Sequence, residues 1–370
     1  MKINGLINKN KIDLCHKHHG GEIYNLNNQI LDFSTNINPL ATPERFSGLY
    51  EKIKDKISVY PDSYSSKLKK KIVSYFKDKI TIENIIVGAG SMELISNFCD
   101  VFINPGDNVV ICQPTFSEYE WTVKKNGGKV INYYRNHSNL FRLDVDSISD
   151  LMSLKLKAIF ICNPNNPNGS LDDRKDLITV IERASKNNAL VFIDEAFIEF
   201  TGEENSIIPE ISSFNNLYIS RSFTKFFALT GLRVGFGVAP PDIIKIMENG
   251  QLLWSVNCIA QYFARKILSD QEFINTSKKF ISEERNFMEV MLKKIGGIKL
   301  FPTNTNYILM NIKDIGLKAG ELKALLLDKN ILIRDCSNYE GLDDYYVRIC
   351  IKTRESNLKL INNLKSIIGN

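Results

Sequence analysis

The sequence lacks a paired cysteine motif, a long apolar run and a strong excess of charge of either sign. Its seven cysteines are an odd number and include no Cys-x-x-Cys pair, which excludes a disulfide framework and is typical of reduced thiols in the cytoplasm. No segment approaches 18 uninterrupted apolar residues, and the first residues lack the apolar core of a secretory signal, so no contact with a membrane is expected. Lysine and arginine exceed aspartate and glutamate by 47 − 42 = 5, spread along the chain, so nucleic acid is not an expected partner.

Short apolar runs alternate with helix-like segments through the first two thirds of the chain. The 370 residues are 44% hydrophobic and 24% charged, which is typical of a globular protein of about two domains. The apolar runs NIIVGAG, NVVICQP, KAIFICNP, ALVFIDEAF, NLYISRS and VGFGVAP predict buried strands. SMELISNFCDVF and DLITVIERASKNN have the period of amphipathic helices. This alternation predicts a parallel sheet.

The pattern changes after about Pro241, which predicts a domain boundary. A long helical region, roughly Ile243 to Gly296, precedes short strands near 306–310, 331–334 and 346–351. We therefore predict an α/β fold with a mostly parallel central sheet in a large domain, residues 41–242. A smaller α+β C-terminal domain, residues 243–370, is joined by an N-terminal arm, residues 1–40.

Four polar clusters stand directly after predicted strands. They are Gly88–Ser91, Asn163–Gly169, Asp194–Phe197 and Ser220–Lys225. Ligands of open parallel sheets bind at the carboxyl ends of the strands, so the clusters are predicted to form one composite site. Gly90 and Ser91 also open a helix, whose N–H groups suit a phosphate, although the turn taken alone is explained better by the conformational freedom of glycine.

Asp194 and Lys225 are the charged residues that the strand ends are predicted to bring together. Asp194 ends the apolar run 190–193, where a carboxylate is costly to bury without a cation or a donor. Lys225 has Arg233 eight positions further on, and a cationic neighbour with partial burial lowers the pKa of an amine toward that of a nucleophile. An acid, a lysine and an anion site suit pyridoxal phosphate, which needs a partner for its ring nitrogen, an imine-forming amine and a phosphate site.

The motifs GAGS, CNPNNPNG, FIDEAF and SRSFTKFFALTGLRVGF occur in an order that resembles the fold-type I pyridoxal-phosphate enzymes of the class I and II aminotransferase family. The resemblance covers nearly the whole chain. It implies that Lys225 forms the imine with the cofactor, that Asp194 contacts the ring nitrogen and that Asn166 contacts the ring oxygen.

The same resemblance implies further cofactor contacts and a partner subunit. Gly90, Ser91, Ser222 and Arg233 are implied as phosphate ligands, with Met92 as a further cofactor contact. Phe116 in PTFSEY matches the aromatic residue that stacks on the ring. Tyr60 in VYPD matches a tyrosine that reaches the cofactor phosphate from the other subunit, so a homodimer is implied.

Within this family the sequence most resembles the histidinol-phosphate aminotransferases and the threonine-phosphate decarboxylases of cobalamin side-chain synthesis. HHGGEIY and ILDFSTNINPLATP resemble the start of the decarboxylases, and Phe197 stands where the aminotransferases usually have tyrosine. We therefore predict a lyase that converts threonine phosphate or serine phosphate to an amino-alcohol phosphate.

Two alternatives to this lyase stay open. A histidinol-phosphate-type aminotransferase is the first, because the two reactions differ only in which substrate bond stands perpendicular to the cofactor ring. A non-catalytic regulator that binds pyridoxal phosphate is a remote second, since the added DNA-binding domain of such proteins is not expected here.

Two arginines and a histidine are predicted to bind the anionic groups of the substrate. Arg334 and Arg348 resemble the two arginines of this subfamily, and guanidinium groups bind anions bidentately. We assign Arg348 to a carboxylate, Arg334 to the phosphate and His19 to the phosphate as second ligand. Asn38 is predicted as a further substrate contact. Structural ion pairs stay an alternative for the arginines, as core packing does for Phe116.

Cys15, His16, His18 and His19 form a close group of metal-ligand types. Four ligands within five consecutive residues cannot readily all point at one ion, and the sequence offers no second ligand cluster. We therefore predict no metal site.

Overall fold

The computed structural model describes residues 9–11, 14–17, 19–21 and 30–369. His18 and part of the predicted arm 1–40 lie outside these residues. None of the described helices is both long enough and apolar enough to span a membrane.

The described chain contains strands and helices in close alternation. The strands are β1 (Leu31–Asp32), β2 (Ile85–Gly88), β3 (Asn108–Gln113), β4 (Lys129–Tyr134), β5 (Leu156–Cys162), β6 (Leu190–Asp194), β7 (Leu217–Ser222), β8 (Gly235–Val238), β9 (Lys299–Leu300), β10 (Tyr307–Asn311), β11 (Ile331–Leu332), β12 (Arg334–Asp335) and β13 (Tyr346–Cys350). The helices are α1 (Pro43–Glu51), α2 (Ser66–Tyr75), α3 (Ser91–Phe102), α4 (Glu118–Lys125), α5 (Val145–Asp150), α6 (Arg174–Lys186), α7 (Pro241–Gly250), α8 (Cys258–Ile267), α9 (Gln271–Leu292), α10 (Ala319–Leu327) and α11 (Arg354–Ile368).

A seven-stranded sheet with the order β2-β8-β7-β6-β5-β3-β4 forms the centre of the region 85–238. Neighbouring strands are parallel except for β8, which runs antiparallel to β2 and β7. The predicted α/β fold with a mostly parallel sheet is therefore confirmed, and the six predicted strands are β2, β3, β5, β6, β7 and β8. The sequence did not predict β4, because this edge strand is mostly only partly buried and has no continuous apolar run.

Helices cover both faces of this sheet, and the side chains of each strand alternate between two cores. Val109 and Ile111 of β3 pack in the core that contains residues of α3, α4 and α7. Val110 and Cys112 of the same strand pack in the core that contains residues of α2, α6 and the C-terminal helices. Burial on both faces explains the uninterrupted apolar sequences of β5 and β6. Polar residues are consequently confined to the strand ends.

The described region from residue 241 onward contains five helices, α7 to α11, and a separate antiparallel sheet. The predicted helical region 243–296 comprises α7, α8 and α9. The sheet has the order β12-β13-β10-β9, and Arg334 lies opposite Arg348 in the β12–β13 ladder. β1 pairs in parallel with β11, which ties residues 31–32 to the C-terminal region. The exact domain boundaries stay predictions.

Candidate active site

A cavity of about 810 Å³ opens at the carboxyl ends of β5, β6 and β7, beside the first turn of α3. Ten of the predicted site residues line it: His19, Ser91, Met92, Phe116, Asn166, Asp194, Ser222, Lys225, Arg233 and Arg348. Four others, Tyr60, Gly90, Asn38 and Arg334, are not part of its wall. The clusters that follow the strands thus meet in one place.

Lys225 follows β7 and lines the cavity. Burial, together with the charges of Arg348 and Arg233, lowers the pKa of Lys225 to about 8. Asp194 opposes this change because its negative charge stabilises the ammonium form. A substantial fraction of the amine is therefore neutral near pH 8, and the neutral amine is the form that attacks an aldehyde.

Asp194 is the last residue of β6 and is buried beneath the cavity. Its carboxylate accepts a hydrogen bond from the hydroxyl of Tyr119 at 2.6 Å and one from the backbone N–H of Ala196 at 3.0 Å. Burial raises the pKa of Asp194 to about 6, and these two hydrogen bonds oppose the rise. A carboxylate held in this way suits the protonated nitrogen of a pyridine ring.

An anion site lies at the start of α3. Gly90 has a φ of +83°, and a Cβ atom built there would lie 2.6 Å from Nη2 of Arg233, so glycine leaves the room that the guanidinium occupies. Arg233 is fixed by donating from Nη1 to the carbonyl oxygen of Thr230 at 3.1 Å. Ser91, the first residue of α3, and Ser222, the last residue of β7, both line the cavity. Hydroxyls, a guanidinium and the N–H groups of a helical first turn are a donor set that suits a phosphate.

Arg348 lies on β13 of the antiparallel sheet, and its side chain lines the cavity. Its guanidinium donates from Nη1 to Oδ1 of Asn166, and from Nη2 to the carbonyl oxygen of Ser34 at 2.8 Å. The hydroxyl of Tyr339 lies 3.2 Å from the same Asn166 oxygen. Nε of Arg348 is buried and has no hydrogen-bond partner among the described residues. A buried guanidinium with an unused N–H donor can bind a carboxylate by donating a hydrogen bond to it.

Two phenylalanines give the cavity apolar walls. Phe116 stands just before α4, is only partly buried and meets the ring of Tyr119 edge to face at 5.6 Å. Phe197 follows β6 and packs edge to face on Tyr307 at 5.0 Å. Because Phe197 has no hydroxyl, this part of the wall offers no hydrogen bond.

Asn38 is not part of the cavity wall, and its predicted substrate contact stays a prediction. Its Nδ2 donates to the carbonyl oxygen of Phe226 at 2.9 Å and to the hydroxyl of Ser277 at 2.8 Å. Its Oδ1 accepts from the backbone N–H of Leu40 at 3.1 Å. These bonds give Asn38 a structural role, in which it links the segment after β1 to α9.

Arg334 and Tyr60 also lie off the cavity wall. The guanidinium carbon of Arg334 lies 5.3 Å from the ring centroid of Tyr339, and Nη2 donates to Oδ1 of Asn338 at 2.7 Å. Tyr60 is 80% exposed, and its ring lies 5.0 Å from that of Trp254. The predicted roles of both residues stay predictions.

His19 approaches the cavity from the N-terminal part of the chain. Its Nε2 lies 2.8 Å from Oε1 of Glu118, and Nδ1 of His16 lies 3.0 Å from Oε2 of the same carboxylate. Within the described residues, no three His, Cys, Asp or Glu side chains are grouped so that they could hold a metal.

Tyr119, Glu118 and Tyr339 are among the side chains at or beside this site that were not predicted from the sequence. Tyr119 ends the same PTFSEY motif that contains Phe116, so a signal for it existed. Glu118 contacts a histidine 99 residues away, and Tyr339 contacts Asn166 across 173 residues. A local sequence pattern gives no indication of contacts at such separations.

The residues of the cavity fit pyridoxal phosphate. Lys225 offers an amine of lowered pKa, and Asp194 offers a carboxylate for a ring nitrogen. The space left by the missing side chain of Gly90 is filled by Arg233, which supplies the charge for a phosphate. The three chemical parts of this cofactor therefore each have a counterpart in the same cavity or at its edge.

Comparisons with known proteins agree with this chemistry. Residues 28–364 match the model of the family described as aminotransferase class I and II. A histidinol-phosphate aminotransferase of Methanosphaera stadtmanae is 34% identical over 343 residues, 92% of this chain and 91% of the relative. A putative threonine-phosphate decarboxylase of Caldanaerobacter subterraneus is 36% identical over 356 residues, 94% of this chain and 93% of the relative.

Solved structures of similar proteins have the same fold. The histidinol-phosphate aminotransferase of Clostridium acetobutylicum superposes with a TM-score of 0.85 at 34% identity, over 92% of this chain and all of that chain. The L-threonine-O-3-phosphate decarboxylase of Porphyromonas gingivalis superposes with a TM-score of 0.79 at 25% identity, over 91% of this chain and 99% of the other. The chain therefore belongs to the class I and II aminotransferase family and is a pyridoxal-phosphate-dependent enzyme.

Proposed function

We propose that the protein is an aminotransferase of the histidinol-phosphate type, which acts on a small phosphorylated amine. The observation that carries the proposal is the shared cavity, which Lys225, Asp194 and Arg348 all line. Transamination is supported by the recurrence of the name histidinol-phosphate aminotransferase among relatives that cover most of the chain.

The side chains in and beside the cavity are proposed to have separate chemical roles. When bound, pyridoxal phosphate supplies a conjugated ring that takes up the electron pair of a broken substrate bond. Asp194 would place a negative charge beside a protonated ring nitrogen. Lys225 would hold the cofactor through its Nζ and would move a proton at the same atom when that amine is free. Arg233, in the space that Gly90 leaves, would hold the phosphate.

Arg348 is proposed to orient the substrate. Asn166 and the carbonyl oxygen of Ser34 fix its guanidinium, and its Nε remains available to a carboxylate. A carboxylate held there would fix how the molecule that carries it is oriented in the cavity, and this orientation would decide which of its bonds is aligned to react. In transamination, Arg348 would bind the carboxylate of the oxo-acid acceptor.

Decarboxylation of threonine phosphate or serine phosphate is the second candidate, and Phe197 favours it. The side chain lines the cavity without a hydroxyl, which is the feature that resembles the decarboxylases. The 36% identical relative named putative threonine-phosphate decarboxylase supports the same candidate. We place it second because the aminotransferase name recurs among the relatives.

Two assays separate the candidates. The holoenzyme is incubated with histidinol phosphate and an oxo acid, and separately with threonine phosphate or serine phosphate and no oxo acid. We expect amino transfer to the oxo acid in the first assay and no carbon dioxide in the second. Stoichiometric release of carbon dioxide without an acceptor would overturn the aminotransferase proposal and establish the decarboxylase.

Arg334 and His19 are the proposed ligands of the substrate phosphate. His19 lines the cavity, and Arg334 packs over Tyr339, which lines it too. Arg334→Ala should therefore raise the KM of phosphorylated substrates far more than that of their unphosphorylated parents. Equal losses for both classes would place the phosphate site elsewhere.

A homodimer is proposed because two segments expose large apolar side chains. These are Ile57, Val59, Tyr60, Tyr64, Leu252, Leu253 and Trp254. The contact between Tyr60 and Trp254 joins the two segments into one surface, and exposed apolar patches mark interaction sites. Sedimentation equilibrium at micromolar concentration should give twice the chain mass, and a monomer would contradict the proposal. The cytoplasm is the proposed location, supported by seven free cysteines.

A further inference from the structure

Glu118 holds two histidines of the N-terminal part of the chain. It is the first residue of α4, and its side chain is only 7% exposed. Oε1 lies 2.8 Å from Nε2 of His19, and Oε2 lies 3.0 Å from Nδ1 of His16. Both oxygens of one buried carboxylate are therefore engaged by residues about 100 positions earlier.

The rings of both histidines are also fixed by aromatic contacts at the start of α4. His16 stacks on Trp121 with 4.1 Å between ring centroids. His19 lies 5.4 Å from the ring of Phe116, which lines the cavity. Because Nε2 of His19 is committed to Glu118, Nδ1 is the nitrogen that remains for a ligand.

The charge of Glu118 gives this arrangement a chemical consequence. Burial raises the pKa of Glu118, but the hydrogen bonds from His19 and His16 and their charges lower it by a larger amount. The net change in pKa is downward, and the carboxylate is ionised. A carboxylate on one nitrogen of an imidazole orients the ring. Its negative charge would also balance a positive charge on the ring when His19 donates from Nδ1 to an anion.

A simpler explanation is that Glu118 only stabilises the first turn of α4, where a negative charge is favourable. That role requires neither burial nor two partners from another segment. Lys17 and Glu120 add an ion pair of 3.5 Å between the same two segments, so three side chains of the N-terminal part contact carboxylates of α4. The docking places His19, and not Glu118, on the cavity wall.

We propose that Glu118 is a positioning residue for substrate specificity, which fixes His19 so that its Nδ1 binds the phosphate of the substrate. This inference rests on the proposed function, namely that the substrate is phosphorylated. Glu118 would act through His19 alone and would not touch the substrate.

The test compares Glu118→Gln and His19→Asn with the control His16→Asn, each as holoenzyme. KM and kcat are measured for histidinol phosphate and histidinol, and for threonine phosphate and threonine. Glu118→Gln and His19→Asn should raise the KM of the phosphorylated member of a pair by about tenfold or more, as expected for loss of a charge-assisted hydrogen bond. The KM of the unphosphorylated member should change less than twofold, and His16→Asn should leave both nearly unchanged.

The outcomes distinguish this inference from the proposed function. If the unaltered enzyme does not prefer phosphorylated substrates, the proposed function fails. If it does prefer them and Glu118→Gln keeps the full preference, the positioning role is wrong and the proposed function stands. Equal loss for both members of a pair would also reject the role, because it would indicate a general structural effect. If Glu118→Gln fails to fold, as thermal unfolding would reveal, Glu118→Asp decides by the same criteria, because its shorter side chain keeps the charge at the start of α4 and withdraws the carboxylate from His19.

Discussion

The hydroxyl of Tyr119 donates a hydrogen bond of 2.6 Å to Oδ2 of Asp194, and both residues are buried beneath the cavity. Burial alone would favour the neutral form of Asp194, which could not serve a protonated ring nitrogen. The bond from Tyr119 opposes that effect, and the pKa of Asp194 stays at about 6. Tyr119 thus helps to keep the carboxylate ionised at neutral pH.

Tyr119→Phe should weaken cofactor binding most at mildly acidic pH. Without the hydroxyl, the pKa of Asp194 rises above about 6, so Asp194 becomes protonated at a higher pH than in the unaltered protein. We expect the Kd of pyridoxal phosphate for the apoprotein to increase by about tenfold at pH 6, as a hydrogen bond to a charged group contributes about 1.5–3 kcal/mol. Absorbance titrations between pH 5.5 and 8 measure this effect.

Tyr218→Phe is the matched control for Tyr119→Phe. Tyr218 is also fully buried, on the neighbouring strand β7, but its hydroxyl has no hydrogen-bond partner among the described residues. Removal of an unpaired buried hydroxyl should leave cofactor affinity nearly unchanged. Equal effects of the two substitutions would show that the Tyr119–Asp194 bond has no special role.

Lys225 should capture the cofactor with a pH dependence centred near 8. Because its pKa is lowered to about 8, the reactive neutral amine increases as the pH rises through that value. The rate at which apoprotein gains visible absorbance on addition of pyridoxal phosphate should rise between pH 7 and 9 and then level off. A rate that still rises tenfold per pH unit above pH 9 would indicate a lysine of ordinary pKa. Lys225→Ala should show no such absorbance change.

The sequence predicted the parts of the site that follow strands, and it did not predict the parts that depend on distant contacts. Lys225 and Asp194 were predicted because each directly follows or ends an apolar run, and strand ends meet at one edge of a parallel sheet. Glu118 and Tyr339 were not predicted, since their partners lie 99 and 173 residues away.

Asn38 shows that a motif does not settle which of its residues faces the cavity. The Asn-Ile-Asn-Pro element does pass close to the cavity, and Asn36 lines it. Asn38 stands two residues further on and turns its amide to Phe226 and Ser277 in the interior. Only the path of the chain decides which of two nearby asparagines faces a ligand.

Gly90→Ala should reduce affinity for pyridoxal phosphate. A Cβ atom would lie 2.6 Å from the Arg233 guanidinium, and the φ of +83° is unfavourable for alanine. We expect the Kd of the cofactor to rise by about tenfold or more, because the displaced guanidinium loses a charge-assisted contact. Gly231→Ala is the control, since its Cβ would meet no atom within 4 Å. Unchanged affinity of the Gly90 variant would remove Arg233 from the phosphate site.

A buried ionic cluster connects the ends of β6 and β7 next to this site. Arg221 is fully buried and lies 2.8 Å from carboxylate oxygens of Glu195, Glu199 and Glu203. Three carboxylates face one guanidinium, and burial raises the pKa of Glu199 to about 7. Glu195 directly follows Asp194, the last residue of β6, and pairs with Arg221 of β7. The cluster therefore holds the ends of these two strands together beside the cavity.

Glu199 should make the folded protein less stable as the pH rises through about 7. Its pKa is higher in the folded than in the unfolded chain, so the stabilisation is fully present below about 4.5 and is lost as the folded-state group ionises. Glu199→Gln removes this titration. The Tm of the variant relative to the unaltered protein should therefore be higher at pH 8 than at pH 5, and an equal difference at both values would contradict the assignment.

Arg221→Met should destabilise the fold strongly, because it leaves buried carboxylates without their cation. Loss of one partner of a buried ion pair costs about 3–5 kcal/mol. Chemical denaturation of the apoprotein at pH 7 measures the change without any contribution from the cofactor. The control is Arg183→Met, whose partner Asp146 is largely exposed and whose loss should cost about 1 kcal/mol or less. Equal losses for the two variants would mean that the buried carboxylates are already protonated in the native protein, and that Arg221 contributes mainly by filling space above the ring of Phe76.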